Sequence, residues 1–313
     1  MAEKIATREA YGKALAELGE KYDFVVLDAD LAEATKTLYF KKAFPERFFD
    51  CGIAEGNMMS VAAGIASTGK PVFASTFAMF AAGRAFEQVR NSIGYPHLNV
   101  KIGATHAGIT VGEDGATHQC NEDIALMRTI PGMTIINPAD AVEARAAVEA
   151  ALNIDGPVYM RFGRFAVPVI NDTPNYKFEV GKGVELLAGS DVTIVATGLM
   201  VSMALEAAKM LGEEGIAARV VNIHTIKPID KEIIVKAAKE TGAIVTAEEH
   251  NIIGGLGGAV AEVVGENCPV PVLRVGVEDK YGHSGKVPPL LEMYGLTPAN
   301  IADKARKAVA LKK

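Results

Sequence analysis

The chain has 313 residues, of which 49% are hydrophobic and 22% charged, so about two folded domains are expected and intrinsic disorder is excluded. The formal net charge of −6 disfavours nucleic acid as the main partner. No apolar run reaches the ~18 residues of a membrane span, and residues 1–8 lack the apolar core of a signal peptide. Three widely separated cysteines indicate no disulfide framework, so we expect a soluble, cytoplasmic protein.

In the first half of the chain, short apolar runs alternate with segments of helical periodicity. Tyr11, Leu15 and Leu18 have helical spacing and precede a buried strand at residues 24–27. Apolar strands separated by helices are typical of a parallel sheet covered on both faces. Further strands are predicted at residues 72–74, 100–103, 133–136 and 158–160, with intervening helices that include residues 80–92 and 139–152.

The alternation is interrupted once. A segment rich in Pro, Asn, Asp and Thr predicts a linker at residues 169–187. We therefore predict an α/β fold of two doubly wound domains with mostly parallel sheets, residues 1–168 and the smaller 188–313. The strands of the second domain are predicted at residues 192–196, 218–221, 243–246 and 270–275.

One loop contains several groups suited to proton transfer. Loops that follow parallel strands meet at one edge of a sheet, where ligands of such folds bind. Residues 103–119 follow a predicted strand and include His106, Asp114 and His118 together with four glycines. Histidines titrate near neutrality, and glycines allow a ligand to approach the backbone closely. The alternative is a polar surface loop with ordinary histidines.

Two other features are ambiguous on their own. Glu55 stands at the start of a predicted helix, where the helix dipole alone would favour a carboxylate. Phe77 and Phe80 lie three positions apart beside a strand end. Rings at helical spacing belong more often to a core than to a cofactor site. Taken singly, both features are explained by the fold.

In combination, these features resemble a known family. Glu55, the Phe77/Phe80 pair and residues 112–119 occur in the order and at the spacing of the pyrimidine-binding domain of transketolases. Residues 192–226 are similar to the C-terminal domain of the same family. The resemblance implies a thiamine-diphosphate enzyme that transfers a two-carbon ketol unit between sugar phosphates.

The resemblance also implies roles for individual residues. Glu55 matches the acid that hydrogen-bonds the aminopyrimidine ring and activates the cofactor, a task that requires a low-polarity pocket. Phe77 and Phe80 match rings that pack on the pyrimidine. His118 matches a proton-transfer histidine near the aminopyrimidine and the reacting carbonyl, and Asp114 matches the carboxylate that reads a substrate hydroxyl.

Three more residues match groups at the mouth of the substrate channel. The resemblance implies that His106, Arg8 and Arg161 hold the sugar phosphate there. The planar guanidinium of arginine suits this role because it presents paired donors to phosphate oxygens. For the two arginines, an ordinary salt bridge is the alternative.

The sequence departs from the family pattern at three positions. Ala34 stands where the family has a phosphate-contacting serine, which leaves Thr35 or Lys36 as substitutes. Gly83 replaces an aromatic residue near the pyrimidine, and Gly56 replaces a histidine that flanks the activating acid. These departures leave the sugar preference open.

The metal-binding half of such a site has no counterpart in this sequence. Full-length transketolases bind Mg²⁺ and the diphosphate through a Gly-Asp-Gly…Asn signature in an amino-terminal domain, and no Gly-Asp-Gly run occurs here. The resemblance therefore implies a separate transketolase amino-terminal subunit that supplies Mg²⁺ and the diphosphate site, with no metal bound by this chain. The expected assembly is a homodimer or a heterotetramer, and the chain alone is expected to be inactive.

Two other functions remain open. The first is part of a related thiamine-diphosphate enzyme, either a deoxyxylulose-phosphate synthase or the β-subunit of a 2-oxo acid dehydrogenase. Residues 111–114, Val-Gly-Glu-Asp, favour a transketolase over both. The second is a non-catalytic scaffold descended from such an enzyme, which the retained Glu55 and Asp114 argue against.

Two smaller motifs have structural interpretations. Residues 254–258, Gly-Gly-Leu-Gly-Gly, loosely resemble a dinucleotide loop, but Val260 replaces its third glycine, so close packing of a helix on a sheet is predicted. Glu248, Glu249 and His250 are adjacent on a predicted strand and alternate between its faces. This arrangement predicts a solvated strand end and not a metal site.

Overall fold

The structure, a computed structural model, describes residues 3–174 and 176–312; Asn175, in the predicted linker, lies outside the described residues. The first half contains β1 (Lys4–Ala6), α1 (Thr7–Leu18), β2 (Val25–Asp28), α2 (Ala32–Thr35), α3 (Leu38–Ala43), β3 (Phe48–Asp50), α4 (Glu55–Ala66), β4 (Val72–Phe77), α5 (Phe86–Gln88), β5 (Val100–Thr105), α6 (Asp123–Arg128), β6 (Thr134–Ile136), α7 (Ala141–Leu152), β7 (Val158–Arg161) and β8 (Ala166–Pro168). The second half contains β9 (Val184–Leu187), β10 (Val192–Ala196), α8 (Met200–Glu213), β11 (Ala218–Asn222), β12 (Thr225–Lys227), α9 (Lys231–Thr241), β13 (Ile244–Asn251), α10 (Leu256–Asn267), β14 (Val272–Val277), α11 (Val287–Met293) and α12 (Pro298–Ala310).

Within the described residues, two large sheets organise the chain. The first has the strand order β12-β6-β7-β5-β4-β2-β3, and its neighbours are parallel except for β12 and β6. The second has the order β14-β13-β10-β11-β9 and is parallel except at the β11-β9 edge. The predicted α/β fold of two doubly wound domains is confirmed. Across the same residues, no helix has the combined length and apolar character to cross a membrane.

The first sheet is covered on both faces, as its continuous apolar strands predict. Along β2, Val25 and Leu27 belong to one apolar cluster and Val26 belongs to another on the opposite face. Alternate residues of a strand point to opposite sides, so both sides of this strand are in a core. This burial explains why short apolar runs were sufficient to locate most strands.

The chain departs from the predicted elements in three places. β12 leaves the second half of the chain and pairs with β6 of the first sheet, so one strand ties the two domains together. β9 is an edge strand of the second sheet although it lies inside the predicted linker, residues 169–187. The helix predicted at residues 80–92 is instead divided into two π-helical turns, Phe80–Arg84 and Val89–Gly94, on either side of α5.

Helix α1 is fixed against the strands that end at the candidate site. The buried Tyr11 ring stacks on Phe162 at a centroid distance of 4.5 Å, and its hydroxyl lies 2.6 Å from Ser75 Oγ on β4. A β-carbon at Gly103 on β5 would lie 2.1 Å from the same hydroxyl, so this position requires glycine. Tyr11 thereby sets the positions of β4 and β5.

The glycine-rich motif before α10 packs a helix closely on the second sheet, as predicted. A β-carbon at Gly257 would lie 2.9 Å from Thr246 Oγ1 on β13. The backbone amides of Leu256 and Gly257 donate to the Glu248 carboxylate at 2.6 and 2.8 Å. Because the chain's own carboxylate occupies these amides, they are not available to a nucleotide phosphate.

The prediction of a solvated strand end at Glu248, Glu249 and His250 is wrong. All three side chains are buried. Glu248 lies under the start of α10, and Glu249 and His250 contact the first domain where β13 ends. Burial raises the pKa of Glu249, whose carboxylate accepts a hydrogen bond of 2.7 Å from the Thr110 backbone amide. Nothing in the local sequence of β13 indicates that the first domain covers its end.

We expect Glu248→Ala to lower the free energy of unfolding by about 1–2 kcal/mol, because the first amides of α10 lose their acceptor and a favourable charge at the helix N-terminus. Urea denaturation measures this change. The matched control is Glu266→Ala, which removes an exposed carboxylate from the same helix. Equal effects of the two substitutions would contradict the capping role.

Candidate active site

The candidate site lies where β4 and β5 end side by side in the first sheet. Phe77 and Thr105 are register partners at the ends of these strands, and His106 follows directly. Phe80 begins the π-helical turn after β4, and the loop after β5 returns with His118. The topology therefore brings together residues that are up to 41 positions apart in the sequence.

Four of the predicted residues form one aromatic cluster. The Phe77 and Phe80 rings are stacked, with centroids 5.7 Å apart and an angle of 16° between their planes. His106 stacks on Phe77 at 3.8 Å. The His118 ring stands edge-on to both phenylalanines, at centroid distances of 6.3 and 5.5 Å. These rings offer flat apolar surfaces beside two imidazoles, which suits a planar heteroaromatic ligand.

Glu55 is connected to this cluster through an arginine. It is the first residue of α4, and its side chain is 1% exposed. One Glu55 carboxylate oxygen accepts a hydrogen bond of 3.0 Å from Arg84 Nη1. Arg84 Cζ lies 5.4 Å from the centroid of the Phe80 ring. A buried carboxyl group, joined through Arg84 to a pair of stacked rings, offers the acid and the flat apolar surface that an aminopyrimidine requires, so the residues fit that group.

His106 is held in one orientation and one protonation state. Its ring is 3% exposed, and its backbone has a left-handed φ of 55°. Nε2 lies 2.9 Å from Arg8 Nη1, which can only donate, so Nε2 accepts and the proton is on Nδ1, 2.9 Å from Thr105 Oγ1. Burial, followed by the charges of Arg8 and Arg164, lowers the pKa of His106 to about 3.

We expect His106 to remain neutral throughout pH 5–8 in the folded protein, and NMR of its ring carbons measures this. In the unfolded chain a histidine takes up a proton near pH 6.5. Between about pH 6.5 and 3 the unfolded state therefore binds more protons at this position, and stability falls as the pH is lowered. His106→Asn should remove this part of the acid sensitivity. A titration of the His106 ring near pH 6.5 would contradict the prediction.

A group of cations lies beside His106. Arg8 is half-buried and donates to the Ala34 carbonyl at 2.8 Å. Burial and the nearby charge of Arg164 lower the pKa of Arg8. Arg164 is 37% exposed, contacts the Val111 carbonyl and lies 3.6 Å from Glu113. These positive groups face the loop of residues 103–119 and are suited to bind an anion.

The structure distinguishes Thr35 from Lys36, the two residues that could substitute for the family's phosphate-contacting serine. Thr35 is buried, and its hydroxyl donates to Asp28 Oδ2 at 2.7 Å. The Thr35 hydroxyl is therefore already bound to a carboxylate at the end of β2. Lys36 has a left-handed φ of 72°, lies 3.6 Å from Glu9 and contributes to the field that lowers the pKa of His106. Of the two, Lys36 is the one directed toward the cation group.

The predicted position of Arg161 at a channel mouth is contradicted by its burial. Its side chain is 3% exposed. Arg161 Nε donates to both oxygens of Asp123, at 2.9 and 3.1 Å, and Nη2 donates to the Glu249 carbonyl at 2.9 Å. Its salt bridge with Asp123 lies within the first domain, and its hydrogen bond to the Glu249 carbonyl reaches the second. Arg161 is therefore a salt-bridge residue, which was the alternative interpretation. Arg164 was missed, although its position beyond the end of β7 distinguishes it from Arg161 within the strand.

The second domain braces the loop that contains Asp114 and His118. Glu249 accepts from the Thr110 amide, and a β-carbon at Gly108 would lie 2.3 Å from the same carboxylate. Gln119 Nε2 donates to the His283 carbonyl at 2.9 Å and to two carbonyls within the loop. Asp114 itself is exposed at the loop surface. Among residues 3–174 and 176–312, no group of three or more His, Cys, Asp or Glu side chains could hold a metal ion.

Comparisons with known proteins agree with this architecture. The model of the transketolase pyrimidine-binding domain matches residues 3–169, and that of the transketolase C-terminal domain matches residues 181–301. A putative transketolase C-terminal section from Methanocaldococcus jannaschii is 53% identical over 300 residues, which cover 95% of this chain and 94% of that protein. The 6-deoxy-6-sulfo-D-fructose transketolase subunit SqwH from a Clostridium species is 46% identical over 306 residues, which cover 97% of this chain and 95% of that protein.

A solved structure is similar over the whole length. It is described as a split gene transketolase, inactive beta4 tetramer, and superposes with a TM-score of 0.91 at 58% identity, covering 99% of this chain and 100% of that one. Both domain models, the near full-length relatives and this structure point to the same assignment. The chain belongs to the transketolase family, and it contains the pyrimidine-binding and C-terminal domains of that family in one polypeptide.

Proposed function

We propose that this chain is the pyrimidine-binding subunit of a thiamine-diphosphate-dependent transketolase that transfers a two-carbon ketol unit between sugar phosphates. The observation that carries the proposal is the convergence of Glu55, Phe77, Phe80 and His118 at one edge of the first sheet. Bound there, the cofactor would supply the carbon nucleophile and the electron sink. The residues of this chain supply position and proton transfer.

Each proposed role follows from the local environment. Glu55 is buried and holds a proton against the aminopyrimidine ring, which Phe77 and Phe80 orient by stacking. His118 stands edge-on to those rings, in a position to move a proton to or from the reacting sugar carbon. Asp114, exposed on the same loop, reads a sugar hydroxyl. No step in this proposal uses Arg161.

The anionic end of the sugar is proposed to bind Arg8, Lys36 and Arg164. Neutral His106 lies among them and accepts from Arg8, which fixes the guanidinium without adding repulsion. The Clostridium relative is named for a sulfo sugar and another relative, from Phocaeicola vulgatus, for apulose 4-phosphate, and each of those compounds has an anionic group. Recognition chiefly by charge fits a site in which Ala34 offers no hydroxyl.

We further propose that a separate subunit binds the diphosphate and Mg²⁺. Two relatives that match nearly all of this chain are named as transketolase subunits, and the similar solved structure is described as inactive. The deciding experiment purifies the chain with its companion from the native source and supplies xylulose 5-phosphate, ribose 5-phosphate, thiamine diphosphate and Mg²⁺. Formation of sedoheptulose phosphate by the pair, and none by the chain alone, is expected.

Two results would reject the proposal. Robust ketol transfer by this chain alone would contradict the need for a partner. Release of carbon dioxide from pyruvate by the pair, without transfer between sugar phosphates, would assign the chain to a synthase or a 2-oxo acid dehydrogenase.

A further inference from the structure

Arg84 contacts the two groups on which the proposed cofactor site depends. Its Nη1 donates to the Glu55 carboxylate at 3.0 Å, and its Cζ lies 5.4 Å from the Phe80 ring centroid. The Glu55 side chain is 1% exposed, whereas that of Arg84 is 56% exposed. The arginine therefore reaches a buried acid from the solvent side.

The backbone places Arg84 over Phe80. Phe80–Arg84 forms a π-helical turn, closed by a hydrogen bond of 3.1 Å from the Ala85 amide to the Phe80 carbonyl, five positions back. Residues four positions apart lie on the same side of such a turn, so Arg84 follows Phe80 on one face. Gly83 and Arg84 are both exposed, so solvent surrounds the outer side of the guanidinium.

The guanidinium and an aminopyrimidine make the same demands on this site. Both are flat, delocalised groups that hydrogen-bond with a carboxyl group and lie against an aromatic face. One Glu55 carboxylate cannot give its best geometry to both at once. The contacts of Arg84 are therefore competing contacts for a ligand that uses Glu55 and Phe80.

We propose that Arg84 is a gate on the pyrimidine site: its guanidinium pairs with Glu55 over the Phe80 ring and must be displaced before an aminopyrimidine binds there. This inference rests on the proposed function, since it takes Glu55 as the acid that meets the cofactor. In the gated state Arg84 Nη1 donates to the Glu55 carboxyl group, and displacement of Arg84 frees that group to hydrogen-bond the ring. The gate thus makes entry of the ring depend on displacement of Arg84.

The test uses the full chain and the pyrimidine half of thiamine, 4-amino-5-hydroxymethyl-2-methylpyrimidine, with binding followed by NMR. Arg84→Met removes the charge and keeps most of the side-chain length. We expect this variant to bind the probe about three- to tenfold more tightly than the wild-type chain. Arg90→Met, which removes an exposed arginine from the neighbouring π-helical turn, is the matched control and should bind like wild type.

A second variant shows whether any gain acts through Glu55. Arg84→Met combined with Glu55→Ala should lose the gain in affinity. Equal or weaker probe binding by Arg84→Met would overturn the gate. Arg84 would then have no effect on probe binding or would help to hold the ring. If the wild-type chain and every variant fail to bind the probe, the proposed pyrimidine site fails with the gate; if the wild type binds and Arg84→Met gains nothing, only the gate fails.

Discussion

Glu55→Gln is expected to lower the rate of ketol transfer by the partner-reconstituted enzyme about 10²- to 10⁴-fold. The amide has nearly the same shape as the carboxyl group and can still stand at the start of α4, but it cannot take up or release a proton. Because the Glu55 side chain is 1% exposed, we expect that no water replaces it in that role. A coupled assay for sedoheptulose phosphate measures the rate.

The controls for Glu55→Gln separate catalysis from folding. Thermal unfolding and circular dichroism should show an intact fold, since Arg84 is more than half exposed and remains solvated when its partner is neutral. Glu213→Gln makes the same chemical change at an exposed position of α8 and should leave the rate unchanged. A Glu55→Gln enzyme with wild-type activity would reject both the proposed acid and the cofactor assignment; wild-type function in a cell would instead favour a scaffold.

The sequence was sufficient to locate the sheets because their strands are apolar on both faces. Residues 192–196 were predicted as a strand and form β10, all of which is buried. The helix predicted at residues 80–92 differs for a physical reason. Its apolar spacing fits a helix of either pitch, and the π-helical turns depend on how the segment packs at the end of β4, which no local pattern reports.

The residues of the candidate site were predictable to the extent that each one lies at the end of a strand or in the segment that follows it. Phe77, Phe80, His106 and His118 were named from the sequence, and the structure places them in one cluster. Arg84 was not named, since an exposed arginine next to a glycine has no distinctive signal until its distance to Glu55 is measured.

Most of the failures have one cause. Arg161 and the Glu248–His250 segment are polar residues near strand ends, where exposure is the usual expectation. Arg161 and Glu249 are buried because the second domain packs against the carboxyl ends of β5 and β7, through contacts between residues 88 or more positions apart, whereas Glu248 is covered by α10 of its own domain. The spacing of apolar residues along the sequence does not report domain packing of this kind. It also gives the second domain a role that the sequence left open, which is to position the loop of residues 103–119.

Arg161→Met is expected to destabilise the protein by about 3–5 kcal/mol, because it leaves the Asp123 carboxylate buried without its cation. The corresponding fall in melting temperature is about 5–8 °C. Tyr159 still donates to Asp123 at 2.8 Å, but a single neutral donor does not compensate for the lost charge. Differential scanning calorimetry measures the change. Adding Asp123→Asn removes the unpaired charge and keeps an acceptor for Tyr159. The double variant should therefore recover part of the lost stability.

Arg164→Met is the matched control, since it removes an exposed arginine three positions away. Its effect on stability should be within about 0.5 kcal/mol, while the KM of the reconstituted enzyme for the sugar phosphate rises. The pair of variants thus separates an arginine that joins two domains from one that meets the substrate. If Arg161→Met instead retained full stability and raised the KM, the guanidinium would reach the sugar phosphate, and the buried ion pair with Asp123 would not be its role.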